Sequence, residues 1–193
     1  MDTTQVILPN GSRVYIIEHV LAADTLAYAH SLADTFAESN PLWHRAGTAA
    51  EHARWEYDVA DPNFDPIRRA FDCPEHLAYW QQRLAPDSTQ QVFCSNISFF
   101  IDYPGSPPLF PHVEAADSWL SQVYIARQPH KYNGTTVYND RKQILFQLPY
   151  RDNMGWLFDT GGTVMHGRAH AVPEALARFS LMIWYALLPD YCP

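Results

Sequence analysis

From about residue 90 onward the chain alternates short apolar, β-branched and aromatic stretches with turn-forming pairs, and no other feature limits its fold as much. The stretches run over 92–103, about 108–114, 119–126, 135–138, 143–148, 155–159, 163–166 and 178–187, with Pro104-Gly105, Asn133-Gly134 and Gly161-Gly162 among the breaks. Proline and glycine favour the backbone angles of tight turns, so this rhythm predicts one short strand after another. Together with a further strand over Arg13–Ile17, the count fits a double-sheet jelly roll whose mouth holds a small ligand. The expected fold class is therefore mainly β with flanking α-helices, around a double-stranded β-helix (jelly roll, cupin-like) core.

Before residue 90 the period is helical. Leu26, Ala29, Leu32, Ala33 and Phe36 recur at helix spacing behind a candidate cap, Asp24, and the pattern ends before Asn40-Pro41. A second helix carries Leu77, Trp80 and Leu84 on one face, with Asp72 and Glu75 at capping-box spacing and Pro74 in the first turn. Residues 41–71, which include Trp43, His44, Arg45, Trp55 and Tyr57, show no period and read as an irregular segment and a lid candidate. At 193 residues the chain is one domain, with 1–90 as helical support and possible lid and 91–188 as the jelly-roll core.

The formal charge is -8, and of 13 basic residues only Lys131 and Lys142 are lysines. That balance repels a phosphate backbone and argues against nucleic acid as a partner. No apolar run approaches the roughly 20 residues that span a bilayer, so no membrane partner is expected. Cys73, Cys94 and Cys192 form an odd set without a CxxC pair, and the N-terminus lacks the basic-then-apolar pattern of a secretory signal. Reduced thiols and a cytoplasmic location are the expectation.

Within the strand region, His112 and Glu114 stand two apart and so project from one face. A third donor, His166, comes in another strand beside Gly167. Two imidazoles and one carboxylate make a facial set that leaves three positions open on a non-haem iron(II) ion. On the last strand Phe179, Leu181, Ile183 and Tyr185 face one way, while Arg178 and Ser180 face the other. A guanidinium fork on an interior face needs an anion, and a carboxylate suits it.

These residues resemble the Fe(II)- and 2-oxoglutarate-dependent oxygenases over about residues 92–187. The shared elements come in the family's order: Tyr103-Pro-Gly105, His112-x-Glu114, Leu120-Ser-Gln-Val-Tyr124-Ile, Asn133-Gly134-Thr-Thr-Val-Tyr138, Asn153 leading into Gly155-Trp-Leu-Phe158, His166-Gly167, and Arg178-x-Ser180 twelve residues on. The resemblance implies that His112, Glu114 and His166 ligate Fe(II), and that Arg178 and Ser180 hold the distal carboxylate of the cosubstrate 2-oxoglutarate. Tyr103, nine residues before His112, resembles a tyrosine that assists there. Asn96 and Tyr124 are added as interior-facing polar groups that could reach the cosubstrate. Arg168 beside the metal and Trp119 at the mouth are the candidate substrate contacts.

The implied reaction consumes O2, decarboxylates 2-oxoglutarate to succinate and oxidises a small molecule such as an amino acid or a biosynthetic intermediate, most simply by hydroxylation. Many family members carry Asp where this chain has Glu114, which puts an extra methylene between backbone and metal. A carboxylate of either length argues against halogenation, which needs that position open. The rival readings are a cupin-type metalloenzyme that does not use 2-oxoglutarate, and a jelly-roll binding module without catalysis. The first commonly shows His-x-His where this chain has His112-x-Glu114; the second leaves Arg178 without an anion.

Overall fold

Alternation along a single strand, β12 (Arg178–Leu187), separates two hydrophobic cores. Its Leu181, Ile183 and Tyr185 are buried toward the helices, and Phe179 packs beside them. Met182 and Trp184 pack against the second core, which lies between the two sheets. A strand whose neighbours lie on both edges must bury both faces, and β12 is hydrogen-bonded to β5 (Val92–Asp102) and β7 (Trp119–Ile125) along its length.

The computed structural model describes residues 1–46, 54–114, 119–158 and 163–188. The remaining elements are β1 (Asp2–Ile7), β2 (Arg13–Glu18), α1 (Ala23–Asp34), β3 (Trp43–Arg45), β4 (Arg54–Tyr57), a 3-10 turn (Pro62–Phe64), α2 (Asp65–Asp72), α3 (Pro74–Leu84), β6 (Leu109–His112), β8 (Thr136–Tyr138), β9 (Ile144–Gln147), β10 (Met154–Phe158) and β11 (Met165–Arg168). One sheet has the order β1-β2-β10-β7-β12-β5-β4-β3 and the other β6-β11-β8-β9. This is a jelly roll, with the three helices laid on the outer face of the larger sheet. Among the described residues no helix is long and apolar enough to cross a membrane.

Three sequence expectations change. The segment 41–71 is not irregular: β3 and β4 pair with each other and β4 adds to β5, burying Trp43 and Tyr57 in the helix-side core. Strands of three and four residues are too short to show a period, so long-range pairing decides them. The residues 47–53 that join them lie outside the described residues. Second, Asp24 does not cap α1. The helix begins one residue earlier, at Ala23, and Asp24 sits in the first turn, where its charge still favours the positive helix end. The loop ahead of α1 is clamped from a distance: the Asn153 amide accepts from Leu21 N–H at 2.7 Å and donates to Leu21 C=O at 2.8 Å. Third, the Asp72–Glu75 capping box does not form, because Asp72 is the last residue of α2 and Cys73 alone separates it from α3.

Candidate metal centre

Strands β6 and β11 lie antiparallel, and His112 stands directly opposite His166 in their ladder. Cross-strand neighbours have Cβ atoms about 4.5–5.5 Å apart, so two histidines at that register bring their rings together; the ring centroids are 4.5 Å apart. The alignment depends on two local features. A bulge on β6 sets four residues, Leu109 to His112, against three on β11, His166 to Arg168, which turns Phe110 out to solvent (80% exposed) and His112 inward. Gly167 lets the strands approach: a Cβ there would meet the Leu109 carbonyl oxygen at 2.5 Å and that of Phe110 at 3.0 Å. β11 thus begins at Met165 and continues past His166, where the sequence reading ends a strand.

Both rings are oriented by the backbone. His112 Nδ1 donates to the Phe110 carbonyl at 2.9 Å, and His166 Nδ1 to the Val164 carbonyl at 3.2 Å. A carbonyl only accepts, so each ring keeps its hydrogen on Nδ1 and turns Nε2 inward. There the two Nε2 atoms meet Glu114 Oε1 at 3.4 and 3.5 Å. All three atoms lie within 4.8 Å of one another, and among the described residues no other trio of His, Cys, Asp or Glu converges in this way. Neutral rings would set acceptor against acceptor, so a cation has to stand among them, either a proton or a metal ion. With protons alone, hydrogen bonds from His112 and then His166 hold the Glu114 carboxyl well below its usual range, and the bond to Glu114 raises His112.

The donors face a cavity of about 70 Å³ whose walls also carry Arg54, Gln122, Trp156, Arg168, Arg178 and Met182. Trp156 stacks on Phe158 at 3.8 Å, and both rings pack against His166. The cavity's other side is cationic. Arg178, 3% exposed, donates from Nη1 to Asp102 Oδ2 at 2.5 Å and from Nε to the Asn133 carbonyl at 2.8 Å. Arg168 also reaches Asp102 Oδ2, at 2.7 Å, and Arg54 Nε reaches Oδ1 at 2.7 Å. Burial by itself would raise the Asp102 carboxyl, but the three guanidinium groups keep it well below its usual range. Burial lowers Arg168 to about 10, and Asp102 opposes the shift.

Register explains this cluster. Asp102 is the cross-strand partner of Arg54 on β4 and of Arg178 on β12, so three adjacent strands place Arg, Asp and Arg side by side. The anion that a buried Arg178 needs is therefore present in the chain itself. Asp102 and Arg54 escaped the sequence reading because neither belongs to a motif; the one available signal was a carboxylate ending an otherwise apolar strand.

Ser180 lies next to Arg178's neighbour Gln122: Gln122 Nε2 donates to Ser180 Oγ at 2.9 Å, and Gln122 Oε1 accepts from Thr135 Oγ1 at 2.9 Å. Tyr124 is fully buried beneath this floor, its hydroxyl on Thr135 and its ring 5.2 Å from the Arg178 guanidinium carbon. The remaining candidates lie elsewhere. Tyr103 turns away to a hydrogen bond with Glu38 and an edge contact with Phe36. Asn96 is exposed and lines a different groove, with Arg68, Asp72 and Cys94. Trp119 packs against the helix-side core.

No protein-family model matches the chain, and no curated protein does. Solved structures do. The non-heme alpha ketoglutarate dependent epimerase SnoN from nogalamycin biosynthesis has a TM-score of 0.66 at 16% identity, covering 90% of this chain and 76% of its own. HygX from Streptomyces hygroscopicus, with nickel and 2-oxoglutarate bound, has 0.61 at 12%, covering 92% and 83%. A prolyl hydroxylase from Trichoplax adhaerens, in complex with a hypoxia inducible factor peptide fragment, has 0.66 at 8%, covering 90% and 83%. The chain shares with these 2-oxoglutarate oxygenases the jelly-roll fold, and within that fold it sets His112, Glu114 and His166 around one point.

Proposed function

We propose that the protein is an Fe(II)- and 2-oxoglutarate-dependent oxygenase that oxidises a small organic molecule, by hydroxylation. One observation carries the reading: two histidine Nε2 atoms and a carboxylate oxygen converge with both Nδ1 hydrogens already committed to backbone carbonyls. Such an arrangement of borderline nitrogen and hard oxygen donors, with fixed tautomers, suits a first-row divalent ion. His112, Glu114 and His166 would hold the iron.

The opposite wall fits the cosubstrate. A guanidinium has five N–H donors; Arg178 uses one from each nitrogen, on Asn133, Asp102 and Gln122, which leaves one N–H on each terminal nitrogen for a carboxylate. The Asn133 side-chain amide is fully buried, and neither its nitrogen nor its oxygen has a partner among the described residues. Orphaned buried amides are rare and point to a group that completes them. When bound, iron and 2-oxoglutarate together with O2 supply the oxidant that removes a hydrogen atom from a C–H bond. The chain's own part is to fix the two imidazole tautomers, to offer Arg178 to a negative charge, and to keep water from one side of the metal with Trp156 and Phe158.

The small-molecule class is supported by the charge of -8 and by the likeness to HygX, solved with hygromycin B bound, and to SnoN, solved with nogalamycin RO. The test is anaerobic titration of 2-oxoglutarate into protein loaded with Fe(II). Binding should require the metal, vanish in His166→Ala and weaken at least tenfold in Arg178→Gln. Equal binding with and without metal would overturn the proposal.

A further inference from the structure

The cavity holds more positive charge than one cosubstrate carboxylate accounts for. Arg54, Arg168 and Arg178 face it, and among the described residues Asp102 is the one carboxylate paired with them. The cavity's other acid, Glu114, is committed to the histidines. Among the described residues two guanidinium charges are therefore left without a carboxylate of their own, in a chain whose overall charge is -8. Buried charge without a partner is costly, so such a surplus points to anionic ligands.

The three arginines are not equivalent. Arg168 donates from all three of its nitrogens, to the His170 carbonyl, Asp102 and the Pro107 carbonyl. Arg178 does likewise, to Asn133, Asp102 and Gln122. Arg54 donates only from Nε, to Asp102 Oδ1; its Nη1 and Nη2 have no partner among the described residues. Its guanidinium carbon lies 4.9 Å over the Phe100 ring, and its side chain is 22% exposed. The plane is thus held by Asp102 at one edge and Phe100 beneath, and the group lines the same cavity as His112 and Glu114.

Building on the oxygenase reading, we propose that Arg54 is the recognition group for a carboxylate on the substrate, so that the substrate is a monocarboxylate. Two terminal nitrogens in a plane match the two oxygens of a carboxylate bidentately. With Arg178 assigned to the cosubstrate, one guanidinium charge remains without a carboxylate among the described residues, which matches a carboxylate and falls short of a doubly charged phosphate. Strand β4, which carries Arg54, would then be the specificity element of this chain, tied to β11 of the metal centre through Asp102 and Arg168.

The test reads Arg54 directly. Its Nε–H nuclear magnetic resonance signal, assigned by its loss in Arg54→Lys, is followed while sodium propionate or the uncharged propionamide is added at constant ionic strength. The protein is loaded with Ni2+ and 2-oxoglutarate so that no turnover occurs. Propionate should shift the Arg54 signal saturably, propionamide should not, and the Arg168 and Arg178 signals should stay in place. In parallel, Arg54→Gln should change 2-oxoglutarate affinity less than threefold, where Arg178→Gln lowers it at least tenfold. No saturable shift, equal shifts with the amide, or a tenfold loss of 2-oxoglutarate binding in Arg54→Gln would overturn the proposal. The oxygenase reading fails separately, if wild-type protein binds no 2-oxoglutarate in a metal-dependent way; the propionate titration, run then without 2-oxoglutarate, still decides on Arg54.

Discussion

Arg178 and Asp102 face each other across the β12–β5 ladder and form an ion pair at 2.5 Å with almost no solvent access. Arg54 and Arg168 share the same carboxylate, so among the described residues Asp102 is the single counter-charge that holds three guanidinium groups together. Removing one partner of a buried pair leaves uncompensated charge and costs about 3–5 kcal/mol. Asp102→Asn should lower stability by about that amount in urea unfolding and weaken 2-oxoglutarate binding through displacement of Arg178. Unchanged stability would show that the arginines repack without a counter-charge.

Gly167 gives a second prediction. A methyl group at this position would sit 2.5 Å from the Leu109 carbonyl oxygen, a backbone atom that cannot rotate away. Gly167→Ala should force β6 from β11, cost about 1–3 kcal/mol as overpacking does, and misplace His112 relative to His166. Divalent-metal affinity should fall by about ten- to a hundredfold, as when a supporting group of a metal site is lost. A calorimetric titration with Ni2+ reads this; wild-type affinity in the variant would contradict the close-approach argument.

A third prediction concerns acid. His76 lies in the helix-side core, where its Nε2 meets the Tyr185 hydroxyl at 2.7 Å and the Trp80 indole N–H at 3.1 Å. Burial lowers its pKa to about 4. In the unfolded chain the value is about 6.5, so below that pH the unfolded state takes up a proton that the folded state refuses. Stability is therefore undiminished above pH 6.5 and falls as pH drops from 6.5 toward 4, by about 3 kcal/mol. His76→Gln should flatten urea-derived stability across that window. Asp102 acts lower: its folded pKa lies below the ordinary carboxylate range, so its contribution is present above about pH 4 and is lost beneath it. A slope that survives in His76→Gln between pH 6.5 and 4 would assign the acid loss to other groups.

What the sequence made legible was what obeys local spacing. The two-residue period predicted that Phe179, Leu181, Ile183 and Tyr185 turn toward the helices while Arg178 and Ser180 turn inward, and β12 does this. The ordered spacing of His112, Glu114 and His166 singled out the three donors that the fold brings to one point. What local spacing misses is register. Asp102 and Arg54 are 48 positions apart and meet only because β4 adds to β5, a pairing made by strands too short to announce themselves. The β6 bulge is also invisible locally: simple alternation puts Phe110 on the face of His112, yet Phe110 points to solvent.

The central claim is that His112, Glu114 and His166 hold an iron that turns over 2-oxoglutarate. Succinate formation from 2-oxoglutarate, measured after purified protein is given Fe(II) and O2, tests it most directly. The account predicts slow succinate release without added substrate in the wild type and none in His166→Ala, with the variant's fold checked by its unchanged far-ultraviolet circular dichroism. Succinate formed equally by wild type and folded His166→Ala would contradict it.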